Sequence, residues 1–196
     1  MKKVLLLSIS FFLLSLSLSA FSFQGFIITL DGKRISGKIE QVNTIKEYID
    51  VIFVNDFGTT YNIHPALIRG FIYKKNGDTH IFESAYQNKK WLFLRLIYRG
   101  DELSLFKMPE IQVNWRIERG NLVSHSPNSK RFWIQNGKKS IFKLKRRNYR
   151  RKIARMLKKK APALAEKIGQ KGYRYNDLPQ IFKEYDEIIN SNVRKL

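Results

Sequence analysis

The chain contains no cysteine. Disulfides, thiolate metal sites, cysteine nucleophiles and a lipid-modified N-terminal cysteine are excluded together. Histidine occurs three times, as His64, His80 and His125, each without a ligand-spaced partner. His64 precedes a proline at a corner, His80 falls in a hairpin strand and His125 in a polar loop, so ordinary turn and surface roles are expected. Acidic residues are few, 16 against 37 lysines and arginines. Asp101-Glu102 and Asp186-Glu187 are neighbours in sequence, which does not make an acid/base pair. There is no Gly-x-Ser-x-Gly elbow, no His-Glu-x-x-His, no glycine-rich phosphate loop before a helix and no calcium loop. Nothing calls for a catalytic residue, a metal or a cofactor. Arg99-Gly100-Asp101 spells an adhesion triplet but reads as a hairpin turn.

What is present begins with an address. MKKVLLLSISFFLLSLSLSAFSFQG has two lysines, an uncharged apolar run and small residues at Ser19, Ala20 and Ser22. This is the layout of a secretory signal peptide over residues 1–22, with cleavage before Phe23 or after Ala20. A signal-anchored form is the competing reading, since residues 4–23 are long enough to span a bilayer. The strand-like residues 25–30 explain the later apolar positions better. The folded part is expected to be exported: periplasmic, outer-membrane-associated or secreted. No second apolar run of ~18 residues follows, so no later helix is expected to cross a membrane.

From residue 24 to about 145 the pattern is that of strands. Residues 26–30 end at Asp31-Gly32, a hairpin signal, and lead into the alternating residues 33–40. Residues 48–54 turn at Asp56-Phe57-Gly58 into 59–63. His64-Pro65 marks a corner, because proline cannot sit in a central strand. Residues 71–74 pair through Asn76-Gly77 with 79–83. Residues 91–98, 103–107, 111–117, 122–123, 131–135 and 140–144 continue as an antiparallel meander, with a turn at Asn136-Gly137. The phrases GFIITLDGKRISG and GFIYKKNGDTHIF echo each other, as hairpins in β proteins often do.

Near residue 147 the period changes to that of a helix. Tyr149, Ile153, Met156 and Leu157 form one apolar stripe, and Arg150, Arg151, Lys152, Arg155, Lys158 and Lys159 fill the rest of the wheel. Pro162 opens a second short helix closed by Gly169 or Gly172. Asn176 or Asp177 caps a third, with Leu178, Ile181, Phe182, Tyr185, Ile188 and Ile189 as its stripe. Strands followed by helices predict an α+β fold. It is mainly antiparallel β, a small SH3-like or Sm-like barrel (residues 23–88) plus a β-meander (89–145). A C-terminal group of about three α-helices (146–196) completes it. The net charge of +21 is concentrated: residues 138–160 hold thirteen basic residues and no acidic one.

Two resemblances follow from these residues. DGKRISGKIE with the later IRGFIY resembles Sm-like proteins in the spelling of Gly32, Gly37 and Ile68-Arg69-Gly70. That implies a small barrel over residues 26–75. The RNA-gripping Asp-x-x-x-Asn signature is not recognisable in QVNTIKEYID, so no RNA binding is implied. The hairpin GFIIT…DGKRISGKI, the strand pair WLFLRLIYRGDELSLF and the helices YRRKIARMLKKKAPALAEKIGQKGYRYNDLPQIFKEYDE resemble a family of uncharacterised exported proteins from Bacteroidetes-type bacteria. The resemblance implies a signal peptide, a β-rich body and C-terminal helices, with no assigned activity. Those relatives often carry Cys-Pro where this chain has Ala161-Pro162, so a role for that cysteine does not carry over.

The expected function is that of an exported, non-enzymatic interaction or structural module of the periplasm or cell envelope. Its basic helix would contact an anionic lipid or lipopolysaccharide surface, or an acidic envelope protein, through Arg150, Arg151, Lys152, Arg155, Lys158 and Lys159. A nucleic-acid binder using the same helix, with Tyr149 or Trp133 stacking on bases, is one alternative, against which export argues. An exported hydrolase without a recognisable motif is another. The bland reading is that the helix docks by its stripe and its charges merely solvate it.

Overall fold

The computed structural model describes residues 22–45, 48–87, 89–108, 114–118, 121–125, 131–137 and 139–193. All of the predicted signal peptide except Ser22 lies outside them.

The strands are β1 (Phe23–Thr29), β2 (Arg34–Ile45), β3 (Tyr48–Asn55), β4 (Thr60–Ile63), β5 (Ile68–Lys75), β6 (Asp78–Gln87), β7 (Lys90–Arg99), β8 (Leu103–Lys107), β9 (Asn114–Glu118), β10 (Asn121–His125), β11 (Phe132–Asn136) and β12 (Phe142–Lys143). The helices are α1 (Tyr149–Leu157), α2 (Pro162–Lys167) and α3 (Leu178–Val193). Ten strands form one antiparallel sheet in the order β12-β11-β8-β7-β6-β5-β1-β2-β3-β4. The expected fold class, mainly antiparallel β followed by a C-terminal helix group, is what the chain adopts. The sheet is open: β4 and β12 are its edges, and β6 runs directly into a ladder with β7. A closed barrel is therefore not formed by the first strands. They curl instead, and β3 and the 3-10 turn Pro65–Leu67 approach β7 across the curl.

One face of the sheet carries two cores. Phe82 pairs with Arg95, Arg95 with Lys107 and Lys107 with Phe132, and directly paired residues share a face. At the curled end this face buries Ile27, Ile39, Val51, Phe53, Phe71, Phe82 and Phe93. Phe71 lies 4.5 Å from Phe82, stacked, and 4.9 Å from Phe93, edge-on. Gly37 permits the curl, because a Cβ there would meet the Phe53 ring at 2.6 Å. At the other end Leu103, Leu105, Phe132 and Ile134 are covered by the helices. A smaller cluster of Leu92, Leu94, Phe106 and Trp133 occupies the reverse face.

Two features depart from a plain meander. First, β9 and β10 form a separate ribbon, and β11 pairs directly with β8. Phe132, Trp133 and Ile134 are all buried, so β11 serves both faces and takes the inner place. Second, the β7–β8 register shifts between Leu96 and Tyr98. Leu96 faces Phe106 on the reverse side, whereas Tyr98 faces Leu105 on the helix side. Side chains alternate with period two, so skipping Ile97 is what turns Tyr98 towards the helices.

Candidate functional site: the basic face of α1

Helix α1 is fixed by its stripe. Tyr149, Ile153 and Leu157 are buried, and Met156 is partly buried against the same cluster. Each fully buried apolar side chain contributes roughly 1.5–3 kcal/mol relative to exposure. The Tyr149 ring meets Tyr175 edge-on at 5.6 Å. Tyr175 is a hub of the cover: its hydroxyl accepts from Phe132 N at 2.9 Å and donates to Leu144 O at 3.0 Å. Burial, which disfavours the phenolate, pushes its pKa up.

The helix is shorter than the basic run. It stops at Leu157, and Lys158, Lys159 and Lys160 form a turn closed by Ala161 N donating to Leu157 O at 2.9 Å. Ala161 precedes Pro162 and has φ −140° and ψ 66°, outside the helical region. The predicted six cations therefore divide. Arg150, Arg151, Lys152 and Arg155 are on α1, and Lys158 and Lys159 are in the following turn. All six are exposed. Arg150 donates to Gly169 O at 3.4 Å, and Lys152 lies 4.9 Å from the Phe142 ring centroid. Among the described residues the side chains of Arg151, Arg155, Lys158 and Lys159 make no ion pair, hydrogen bond or ring contact. Lys160 is committed inward, to Glu102.

Further cations of the basic run lie on aromatic rings. Arg146 lies 5.9 Å from the Tyr175 ring on the helix side, whereas Lys143 lies 6.0 Å from Trp133 on the reverse face of the sheet. The Lys143 ammonium is held below its ordinary pKa by burial and then by repulsion from Arg131 and Lys145. No acidic residue lies in the first turn of α1, and the Asn148 side chain makes no capping bond. Arg150 and Arg151 thus sit at the positive end of the helix dipole, where carboxylates are the stabilising choice.

Residues the sequence reading left aside hold the helices to the sheet. Glu102 is bonded by Lys160 and accepts from the Tyr185 hydroxyl at 2.9 Å. The Lys160 contact, reinforced by Tyr185, draws the Glu102 carboxyl below its usual pKa, while burial and the same carboxylate push Tyr185 up. Asp186 accepts from the Tyr98 hydroxyl at 2.7 Å. Burial, followed by that bond, pushes the Tyr98 pKa up to about 12. The two adjacent acidic pairs thus each give one carboxylate to a tyrosine from a distant element. One signal was present: Asp186 lies next to Tyr185 and four residues after Phe182, at the border of an apolar stripe.

Two histidines have structural surroundings. His64 Nδ1 accepts from Ala66 N at 3.2 Å at the start of the 3-10 turn, and His80 stacks on Tyr73 at 4.9 Å. His125 lies in β10. Among the described residues no group of three or more histidines and carboxylates is placed to hold a metal ion, and no helix is long and apolar enough to cross a membrane. The chain matches no protein-family model, no curated protein and no solved structure.

Proposed function

We propose that the chain is an exported, non-enzymatic interaction module of the bacterial periplasm or envelope. Its working surface is the cationic face of α1 and the turn after it, and its partner is an anionic phosphate-bearing lipid surface. The observation that carries this reading is the exposure of Arg151, Arg155, Lys158 and Lys159 with no partner among the described residues, on a helix whose apolar stripe is already buried. The stripe positions the helix; those four side chains make no contact that adds to that task among the described residues. Near a charged membrane each lysine or arginine contributes ~1 kcal/mol. The six together would give a dissociation constant on the order of tens of micromolar at low salt.

The resemblance to exported Bacteroidetes-type proteins and the signal-peptide layout support the compartment. Co-sedimentation of the mature protein with vesicles tests the partner. Retention on anionic vesicles, weakening as salt rises, is expected. Equal retention on neutral vesicles would overturn the reading. So would displacement from anionic vesicles by nucleic acid at far lower phosphate concentration, which would move the role to phosphate-driven nucleic-acid binding.

A further inference from the structure

A second feature lies where β7 ends against α3. A cavity of about 500 Å³ opens there, with Tyr98, Gly100 and Asp101 on the sheet side and Asp186, Glu187 and Asn190 on the helix side. Its volume is in the range of small-molecule sites, which run roughly 300–1,000 Å³. The bulge at Ile97 and the turn after β7 create it, by bringing Tyr98 and Gly100 beneath a single helical face.

Asp186 is the centre of the cavity wall. It is only 9% exposed. Its Oδ2 accepts from Tyr98, while its Oδ1 is buried and has no donor among the described residues. A sheltered carboxylate oxygen without a donor is costly, the more so when charged. The carboxylate also presses on the backbone: a Cβ at position 100 would come within 2.1 Å of Oδ2 and 2.8 Å of Oδ1. Only glycine leaves this room.

The nearby cations do not supply the missing donor. Arg99 is committed to Glu83 and lies 5.7 Å from the Phe106 ring. Lys183 faces Glu187 at 4.0 Å. Among the lining residues Asp101, Asp186 and Glu187 outnumber Arg99 and Lys183 by one, so the cavity is net negative in a chain whose net charge is +21. A bare metal ion is a poor fit, because hard cations need several oxygen ligands and no such group converges here among the described residues.

We propose that this cavity is a binding site for an organic cation bearing N–H donors, an ammonium or guanidinium group, with Asp186 as its counter-ion. The aspartate χ2 torsion is soft, and a turn about it that brings the buried Oδ1 out to the cavity carries Oδ2 with it, so the Tyr98 hydroxyl must follow the carboxylate. Tyr98 acts as the positioning residue and Glu187 as the charge at the rim. The site is independent of the cationic face of α1.

The test uses n-butylguanidinium and its neutral isostere n-butylurea, titrated into the mature protein and followed by amide NMR at Gly100 and Asp101. Binding of the guanidinium alone is expected, with a dissociation constant of roughly millimolar or tighter. Glu187→Gln, a change at the exposed rim that leaves the fold intact, weakens it about three-fold, and Asp186→Asn by more than about ten-fold. Equal shifts from the urea, no shifts up to about 10 mM guanidinium, or unchanged affinity in Glu187→Gln and in folded Asp186→Asn would overturn the assignment. Because the urea comparison is made on the unmodified protein, it decides the matter even if Asp186→Asn fails to fold.

Discussion

Helices α1 and α3 bury their stripes in the same cluster, yet their outer faces differ. On α3 charges of both signs occur and pair: Lys183 with Glu187, and Glu184 with Lys167 from α2. On α1 every charge is positive, and four of the six predicted cations have no partner among the described residues. Helix α3 shows outer-face charges answered by neighbours of opposite sign. Helix α1 departs from that pattern at a cost. Arg151 and Arg155 are like charges at i,i+4, destabilising by roughly 0.2–0.5 kcal/mol, and cations at a helix N-terminus oppose the dipole by a similar or larger amount. A face that weakens its own helix is better explained by something outside it.

The comparison can be broken first at its shared base. Ile153→Ala removes a fully buried residue of the α1 stripe and should cost about 2–5 kcal/mol in denaturant unfolding. A cost near zero would mean that α1 is not docked as described.

The anchoring of α3 is the next test. Tyr98→Phe strips Asp186 of its one donor among the described residues and should cost about 1–3 kcal/mol. The folded protein holds the Tyr98 proton more tightly than the unfolded chain does. That stabilisation is complete below pH 10.0 and is lost as pH rises through about 12. Alkaline unfolding curves of the variant and the unmodified protein should therefore converge at the high end.

Glu102 has the opposite sign. Its carboxyl is held below the ordinary value of 4.5, so its contribution is full above that pH and is lost as pH falls through the depressed folded value. Glu102→Gln should flatten the acid limb of the stability profile and cost about 1 kcal/mol at neutral pH, the size of a half-exposed ion pair.

The smallest effect is the sharpest. Arg151→Glu places a carboxylate in the first turn of α1 and four residues before Arg155, and should stabilise the fold by about 0.5–1 kcal/mol. The same change should weaken vesicle binding. Stabilisation without loss of binding would leave the charges as solvation only.

Much of the frame was readable in the residues. Asn76 and Gly77 have φ of 52° and 85°, as an Asn-Gly hairpin turn requires, and the chain turns there between β5 and β6. The stripe of α3 emerged from period alone, since Leu178, Ile181, Phe182 and Tyr185 are all buried. Other features depended on distant partners. The bulge at Ile97 leaves no local mark, because apolar residues suit both faces of β7. Nor does any motif announce Tyr98 to Asp186, a contact across 88 positions. The end of α1 could have been drawn earlier, since Ala161 stands before a proline and the basic run hid the boundary. All six predicted cations proved exposed, but engagement of Arg150 by Gly169 arises only once α2 has folded back.

The most direct test of the cationic face replaces Arg150, Arg151, Lys152, Arg155, Lys158 and Lys159 with glutamine and measures vesicle co-sedimentation beside thermal unfolding. The account predicts that the variant stays in solution with anionic vesicles while its unfolding midpoint is unchanged or higher. A variant that pellets like the unmodified protein would contradict it.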